Sequence, residues 1–489
     1  MKCRSLLLTA AVLMAGLFVS CSKDEVPEEV VYEAGMTSFG FYVEDNEGVI
    51  LEDYVVSAIT GTSIVLQLPE EVDKSSLIAR FTVTENDVVK VGSTVQVSGV
   101  TANDFTVPVD YFVSEETANV KYTVTIEKAP AFVWSALPPV TSDSAVALVM
   151  KVSPAGVPYI AYKMDRESTD DEGLAVMVLN QGTWSPMGQV SEGRVATYMD
   201  IAFNSKDEPA VSYLDYTSET SQQASVKAYN GTTWSFVGGP AATTDKVTYN
   251  ALEYVNDNKL MLFALFDGRS GPLTRRELSV NTFEGGTWNT NTTIPGRPAE
   301  HRGWLVTADR LDDAVYVGAH NAVSPNSVSV YKYQNNTWKA LLDAWSDPNA
   351  TGISLRDFDI AVDRDGNLFV ALMDDSSEGV AKYRVIKYNA ETEEVESVGN
   401  PLAGASGGLE NFDLAVSPLG VPYLFYRNES LFPSVVSLDK DSQDWTTPNV
   451  LETAEADDLH LDFAPDGKAY LVYTKDNKVF SYKYEAPGN

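Results

Sequence analysis

From Met36 onward the chain is built of short runs in which apolar and polar residues alternate, such as TSFGFYV from Thr37, SIVLQL from Ser63, ARFTVT from Ala79 and KYTVTIE from Lys121. A period of two with β-branched and aromatic residues predicts strands buried on one face. About ninety-five residues of this kind, broken by Asp, Asn and Gly turns, predict an immunoglobulin-like β-sandwich over residues 36–129. No helical period of any length interrupts the pattern, so the expected class is all-β.

From residue 130 a longer period appears. Trp recurs at one point of a strand at Trp134, Trp184, Trp234, Trp288, Trp338 and Trp445, with Val395 in the place of the sixth, at spacings of about fifty residues. Between these strands lie hairpins: KVSPAGVPYIAY from Lys151, FNSKDEPAVSY from Phe203, VDRDGNLFVAL from Val362, VSPLGVPYLFY from Val416 and FAPDGKAYLVY from Phe463. Weaker copies occupy 254–263 and 307–317. A period of about fifty fits four strands and their turns, so residues 130–489 are predicted to form a seven-bladed β-propeller. A lone Trp-type strand at 132–137 comes first, and the last repeat stops after its third strand at 480–484. The N-terminal strand is therefore expected to complete the last blade and close the ring, leaving no exposed sheet edge there.

The first twenty residues read differently. Lys2 and Arg4 precede an uncharged apolar run at 6–19, then Ser20 and Cys21, which is a secretory signal rather than a spanning helix. Leu17, Phe18, Val19 and Ser20 ahead of Cys21 resemble the lipobox of bacterial lipoproteins, which implies cleavage before Cys21 and lipidation of its thiol. Ser22-Lys23-Asp24-Glu25 resembles the acidic export signal of Bacteroidetes surface lipoproteins, which implies the outer leaflet of the outer membrane. Residues 21–35 are acidic and lack an apolar period, as expected of a tether. MTSFGF, SGVTANDFTVPVDYFV and KYTVTIEK, within 36–128, resemble a domain of unknown function near the N-terminus of such lipoproteins. That resemblance implies a spacer or binding module. Tyr54 and Tyr111 in it are read as cross-strand packing rather than sugar contacts.

Composition narrows the function. With 35 Lys+Arg against 69 Asp+Glu, the net charge of −34 argues against nucleic acid, whose phosphates call for a surplus of Lys and Arg, so no nucleic-acid partner is expected. There are 2 Cys, and Cys3 leaves with the signal while Cys21 takes lipid, so no disulfide supports the fold. His301, His320 and His460 are the only histidines, too few for a zinc site, and no metal or cofactor is expected. Calcium at Asp363-Arg364-Asp365-Gly366-Asn367 is disfavoured, because Gly366 is the fourth residue of the loop and no bidentate Glu follows at the required distance; a tight turn is the better reading. The propeller hairpins resemble families with an AVDxDGN signature, carried by AVDRDGNLFV from Ala361. Kelch Gly doublets are missing at the required positions, and the sialidase Asp box does not appear.

Candidate ligand-binding residues lie where innermost strands begin, around one mouth of the ring. Trp304 beside His301 and Arg302 falls outside the Trp column, and an aromatic face beside planar polar groups suits a sugar. Equivalent positions carry Tyr198, Tyr249, Arg356, Asp357, Glu410, Asn411, Asp457 and Asp458. One step deeper lie Asp200, Asp359 and Asp413, with His460 at the matching place, expected to bond backbone N–H groups of the neighbouring blade. The favoured reading is a non-catalytic, lipid-anchored surface protein holding a glycan or a host or partner protein at that mouth. The alternatives are a polysaccharide hydrolase or lyase using mouth carboxylates such as Asp457 with Asp458 or Asp357 with Glu410, and a scaffold subunit of an outer-membrane complex.

Overall fold

A computed structural model describes residues 35–487, apart from 85–86, 116–117, 192, 218–220, 269–272, 322–326, 349–354, 375–380 and 406–410. The signal, Cys21 and the tether up to residue 34 lie outside the described residues. The chain is all-β: strands carry nearly all of its regular structure, and two single-turn 3-10 helices are the only helical elements among the described residues. No helix there is long and apolar enough to cross a membrane.

The N-terminal part folds into two sheets over one core. One sheet orders Tyr54–Val56, Met36–Phe41, Leu77–Val83 and Ala102–Asn103; the other orders Ser63–Leu68, Ala118–Lys128, Val109–Glu115, Val88–Val91 and Thr94–Val95. Alternation along each strand points one face inward, so Phe39, Phe41, Phe105 and Tyr111 meet between the sheets. Their rings pack mostly edge to face, with Phe39 and Tyr111 centroids 5.3 Å apart. Tyr111 is fully buried and Tyr54 half-buried, so Tyr111 is part of the core.

The remainder forms seven successive antiparallel sheets in a propeller-like arrangement. Four consecutive strands make up each of the first five, such as Ala145–Val152, Pro158–Met164, Leu174–Asn180 and Thr183–Ser191. The last sheet takes Asp457–Phe463, Ala469–Lys475 and Lys478–Glu485 from the C-terminus and Val133–Ala136 from the start of this region. Trp134 pairs with Tyr484 in that register, and their rings lie 4.8 Å apart. The innermost strands touch in chain order, and Asp457–Phe463 touches both Phe412–Val416 and Ala145–Val152.

The recurring Trp residues lie between sheets. Trp184 Nε1 donates to Ser481 Oγ at 3.0 Å, Trp234 Nε1 to Met187 O at 3.1 Å and Trp288 Nε1 to Val237 O at 2.7 Å, each reaching a neighbouring sheet. Such packing needs a bulge without a Cβ on the facing strand. Gly399, at φ +60°, supplies one, since a Cβ there would lie 2.5 Å from Trp445 Nε1.

The N-terminal sheets rest on turns that leave the far ends of innermost strands. Leu419, between Phe412–Val416 and Pro422–Arg427, packs into the N-terminal core, and Tyr423 Oη donates to Glu71 at 3.1 Å. The opposite face, where innermost strands begin, is left uncovered by them.

Removal of Val133–Ala136 leaves the edge of Lys478–Glu485 unpaired. A chain starting at residue 140 should melt several degrees below one starting at 130 and aggregate on heating, as followed by circular dichroism and light scattering; equal melting would contradict the pairing.

Candidate binding site

Two cavities lie along the axis of the seven sheets and at its uncovered face. The first, of about 560 Å³, is the central channel. Its wall is the inward side of the innermost strands, and the carboxylates there cross between sheets. Asp200 accepts the Leu252 N–H at 2.8 Å, Asp359 that of Leu414 at 3.0 Å and Asp413 that of Leu461 at 2.6 Å. Asp309 and Asp462 do the same for Val362 at 2.8 Å and Val152 at 2.7 Å. His460 Nε2 lies 3.0 Å from Leu148 O, so it is the donor and the ring is the Nε2–H tautomer.

Burial sets the protonation of this wall. It pushes Asp309 and Asp462 up to about 6. Asp413 is raised well above the usual range, by burial first and then by the charge and hydrogen bond of Asp359. Lys151 Nζ bridges Asp200 at 3.1 Å and Glu253 at 2.8 Å. Burial disfavours its charge, but the two carboxylates outweigh that and hold the ammonium ionised. One cation offsets one carboxylate. Burial, reinforced by Asp200, therefore pushes Glu253 up to about 7 despite Lys151. Burial also lowers His320 and His460 to about 4, leaving both neutral. Among the described residues no three His, Cys, Asp or Glu side chains come together to hold a metal ion. In the 363–367 turn, Asp363 accepts the N–H groups of Asp365 and Asn367 and the Asn367 amide, which occupies the carboxylate.

The second cavity, of about 330 Å³, opens on the uncovered face. Tyr198 and Tyr249, from the beginnings of two neighbouring innermost strands, line it with ring centroids 4.2 Å apart. Tyr216, Arg194 and Arg276 come from loops beside them. The Arg194 guanidinium lies 5.3 Å from the Tyr216 ring centre and that of Arg276 3.6 Å from the centre of Trp304. Trp304 is 44% exposed and Tyr216 38%, so aromatic faces reach solvent at the rim.

The structure separates the collar expected from sequence. Tyr198, Tyr249 and Trp304 stand at or beside this cavity. Arg302 is exposed, but it is Arg276 that covers the indole, because Gly303 N–H donates to Arg276 O at 2.8 Å and ties the two loops together. His301 Nδ1 is buried without a hydrogen-bond partner. Asp357 is no mouth residue: it is 4% exposed, lines the channel and accepts the Phe358 N–H at 3.0 Å. Asp457 lines neither cavity and is held by Arg427 at 2.5 Å. Asp458 bonds Thr474 at 2.9 Å, and burial raises it to about 6. Asn411 is buried. The Arg356 side chain and Glu410 lie outside what is described. Arg194, Tyr216 and Arg276 were not anticipated, since loops carry no period that would mark them.

A family described as "SGBP, N-terminal" matches residues 47–126, within the first two sheets. No curated protein matches the chain. Among solved structures, a polysaccharide lyase PL25 ulvan lyase bound to -[GlcA(1-4)Rha3S]- is 12% identical, covering 71% of this chain and 95% of its own, at a TM-score of 0.48. The arabinofuranosidase arb93a of Fusarium graminearum is 11% identical over 72% and 97%, at 0.43. AofleA of Arthrobotrys oligospora is 11% identical over 66% and 90%, at 0.40. Likeness at this level carries nothing about activity.

Glu253 gives the channel a pH signature. A carboxyl raised in the folded state stabilises the fold below its ordinary value, and that contribution is lost as pH rises through about 7. The lowered histidines act in the opposite direction, between about 4 and their ordinary value near 6.5, and add no slope above it. The melting temperature should therefore fall between about pH 6.5 and 8. Glu253→Gln should flatten that fall; an unchanged slope would contradict the buried, protonated state.

Proposed function

We infer that this chain is a non-catalytic glycan-binding protein of the cell surface, held to the outer membrane by lipid on Cys21. In this reading an immunoglobulin-like domain at 36–129 carries a seven-bladed propeller at 130–489, closed by the strand Val133–Ala136, and the glycan sits on the uncovered face. One observation carries it: Tyr198 and Tyr249 form an aromatic floor beside two guanidinium groups, with the Trp304 and Tyr216 rings reaching solvent at the rim. Sugar rings stack their C–H faces on aromatic rings while planar polar groups bond the hydroxyls.

The match of 47–126 to an SGBP N-terminal family supports a surface glycan-binding role. The N-terminal sheets occupy the turn side of the propeller, so the aromatic cavity points away from them and from the anchor that precedes them. A hydrolase or lyase needs an acid and a base within one site, and the described lining of this cavity contains no carboxylate. In the channel, Asp200, Asp359 and Asp413 accept backbone N–H groups of the neighbouring sheet and Lys151 pairs with Glu253, a structural use of these carboxylates.

The test uses the full chain carrying Cys21→Ser, screened against a glycan array, with every bound glycan then assayed for release of reducing ends. Binding without cleavage is expected. Tyr198→Ala and Trp304→Ala should each weaken that binding about tenfold with the melting temperature kept. Cleavage, or affinity indifferent to both substitutions, would refute the reading.

A further inference from the structure

We propose that the Tyr198–Tyr249 cavity selects an anionic sugar, with Arg276 and Arg194 receiving its carboxylate or sulfate group. This rests on the glycan-binding reading and sharpens it.

The charge distribution points there. Acids outnumber bases 69 to 35 over the chain. The channel follows that excess, with eight carboxylates and two cations in its lining. The aromatic cavity reverses it: Lys163, Arg194 and Arg276 line it and no carboxylate does. Lys163 is neutralised by Glu172 at 2.7 Å. Arg194 and Arg276 have no ion pair among the described residues, and each is stacked on an aromatic ring instead.

Arg276 is the sharper case. Its Nη1 is buried and has no hydrogen-bond partner, a costly state for a charged donor. Its guanidinium cannot turn away to water freely, since Trp304 covers one face at 3.6 Å and the backbone on either side is tied: Arg276 N–H donates to Phe266 O at 2.6 Å and Arg276 O accepts from Gly303. A guanidinium stacked by its face keeps its donors in the ring plane, where a carboxylate or sulfate presents two oxygens to two N–H groups. Tyr198 and Tyr249 then cover the C–H surface of the same sugar. A neutral hydroxyl could satisfy one donor but leave the positive charge uncompensated, so an acidic residue is the better fit.

The experiment is calorimetric titration of the full chain carrying Cys21→Ser with oligogalacturonate, alginate and hyaluronan oligomers as the carboxylate arm and carrageenan oligomers as the sulfate arm. Each is paired with its carboxyl-reduced or desulfated counterpart. At least one acidic member should bind about tenfold or more tightly than its neutral partner, because a charge-assisted hydrogen bond is lost on neutralisation; the arm that shows this identifies the group. Arg276→Met should abolish most of that preference, weakening the acidic member far more than its neutral partner, and Arg194→Met serves if Arg276→Met fails to fold. Tyr198→Ala should weaken both members alike. Equal affinity for acidic and neutral members, or a preference that survives both Arg substitutions, overturns the proposal and leaves glycan binding standing. Binding of neither series, on this panel or on the glycan array, overturns both.

Discussion

The innermost strand of each sheet has one edge that no strand covers, and its N–H groups need acceptors in a place too confined for free solvation. Aspartates on the neighbouring innermost strand supply them, short enough to cross one strand spacing and charged enough to make the bond strong. Asp200, Asp309, Asp359, Asp413 and Asp462 do this at the second-to-third, fourth-to-fifth, fifth-to-sixth, sixth-to-seventh and seventh-to-first junctions. Lys151 joins the first sheet to Asp200 of the second, and Arg310 reaches Tyr254 O of the third from the fourth at 3.2 Å. Every junction thus has a polar link at its inner edge, with indoles from the Trp column packed farther out.

The cost is a channel crowded with carboxylates. Unpaired, each would lose more in desolvation than it gains; bonded to backbone N–H, paired with Lys151 or kept protonated, each is accommodated. Those same bonds fix the starts of the innermost strands relative to each other. Tyr198 and Tyr249 are held in contact because Asp200 on one strand bonds Leu252 on the next, two and three residues along. The two rings, though they come from separate sheets, are therefore held as firmly as the strands that carry them.

Much of this was legible in the sequence. Alternation marks the strands, and a period near fifty, anchored by Trp and by hairpins such as the one after Val362, marks the sheets. Even the weaker third and fourth copies stand where the period places them. Tyr198, Tyr249 and Trp304 stood out in the sequence because they sit at repeated positions or break a repeated column, and the structure places them at or beside one cavity. Asp357 and Asp457 show that equivalent positions in the repeat do not share surroundings: Asp357 turns into the channel, while Asp457, exposed at the start of its strand, meets Arg427 from the preceding sheet. Arg276 escaped because its neighbour Trp304 lies far along the chain, and the two are brought together by bonds between their loops, Gly303 N–H to Arg276 O and Thr274 Oγ1 to Ala299 O.

The most direct test of this account is a crystal structure of the chain with a bound oligosaccharide identified by array screening. Density over the Tyr198 and Tyr249 rings, with an oxygen of the sugar within hydrogen-bond reach of Arg276, is the expected result. Density on the N-terminal sheets alone, or in the cleft between them and the propeller-like region, would contradict it.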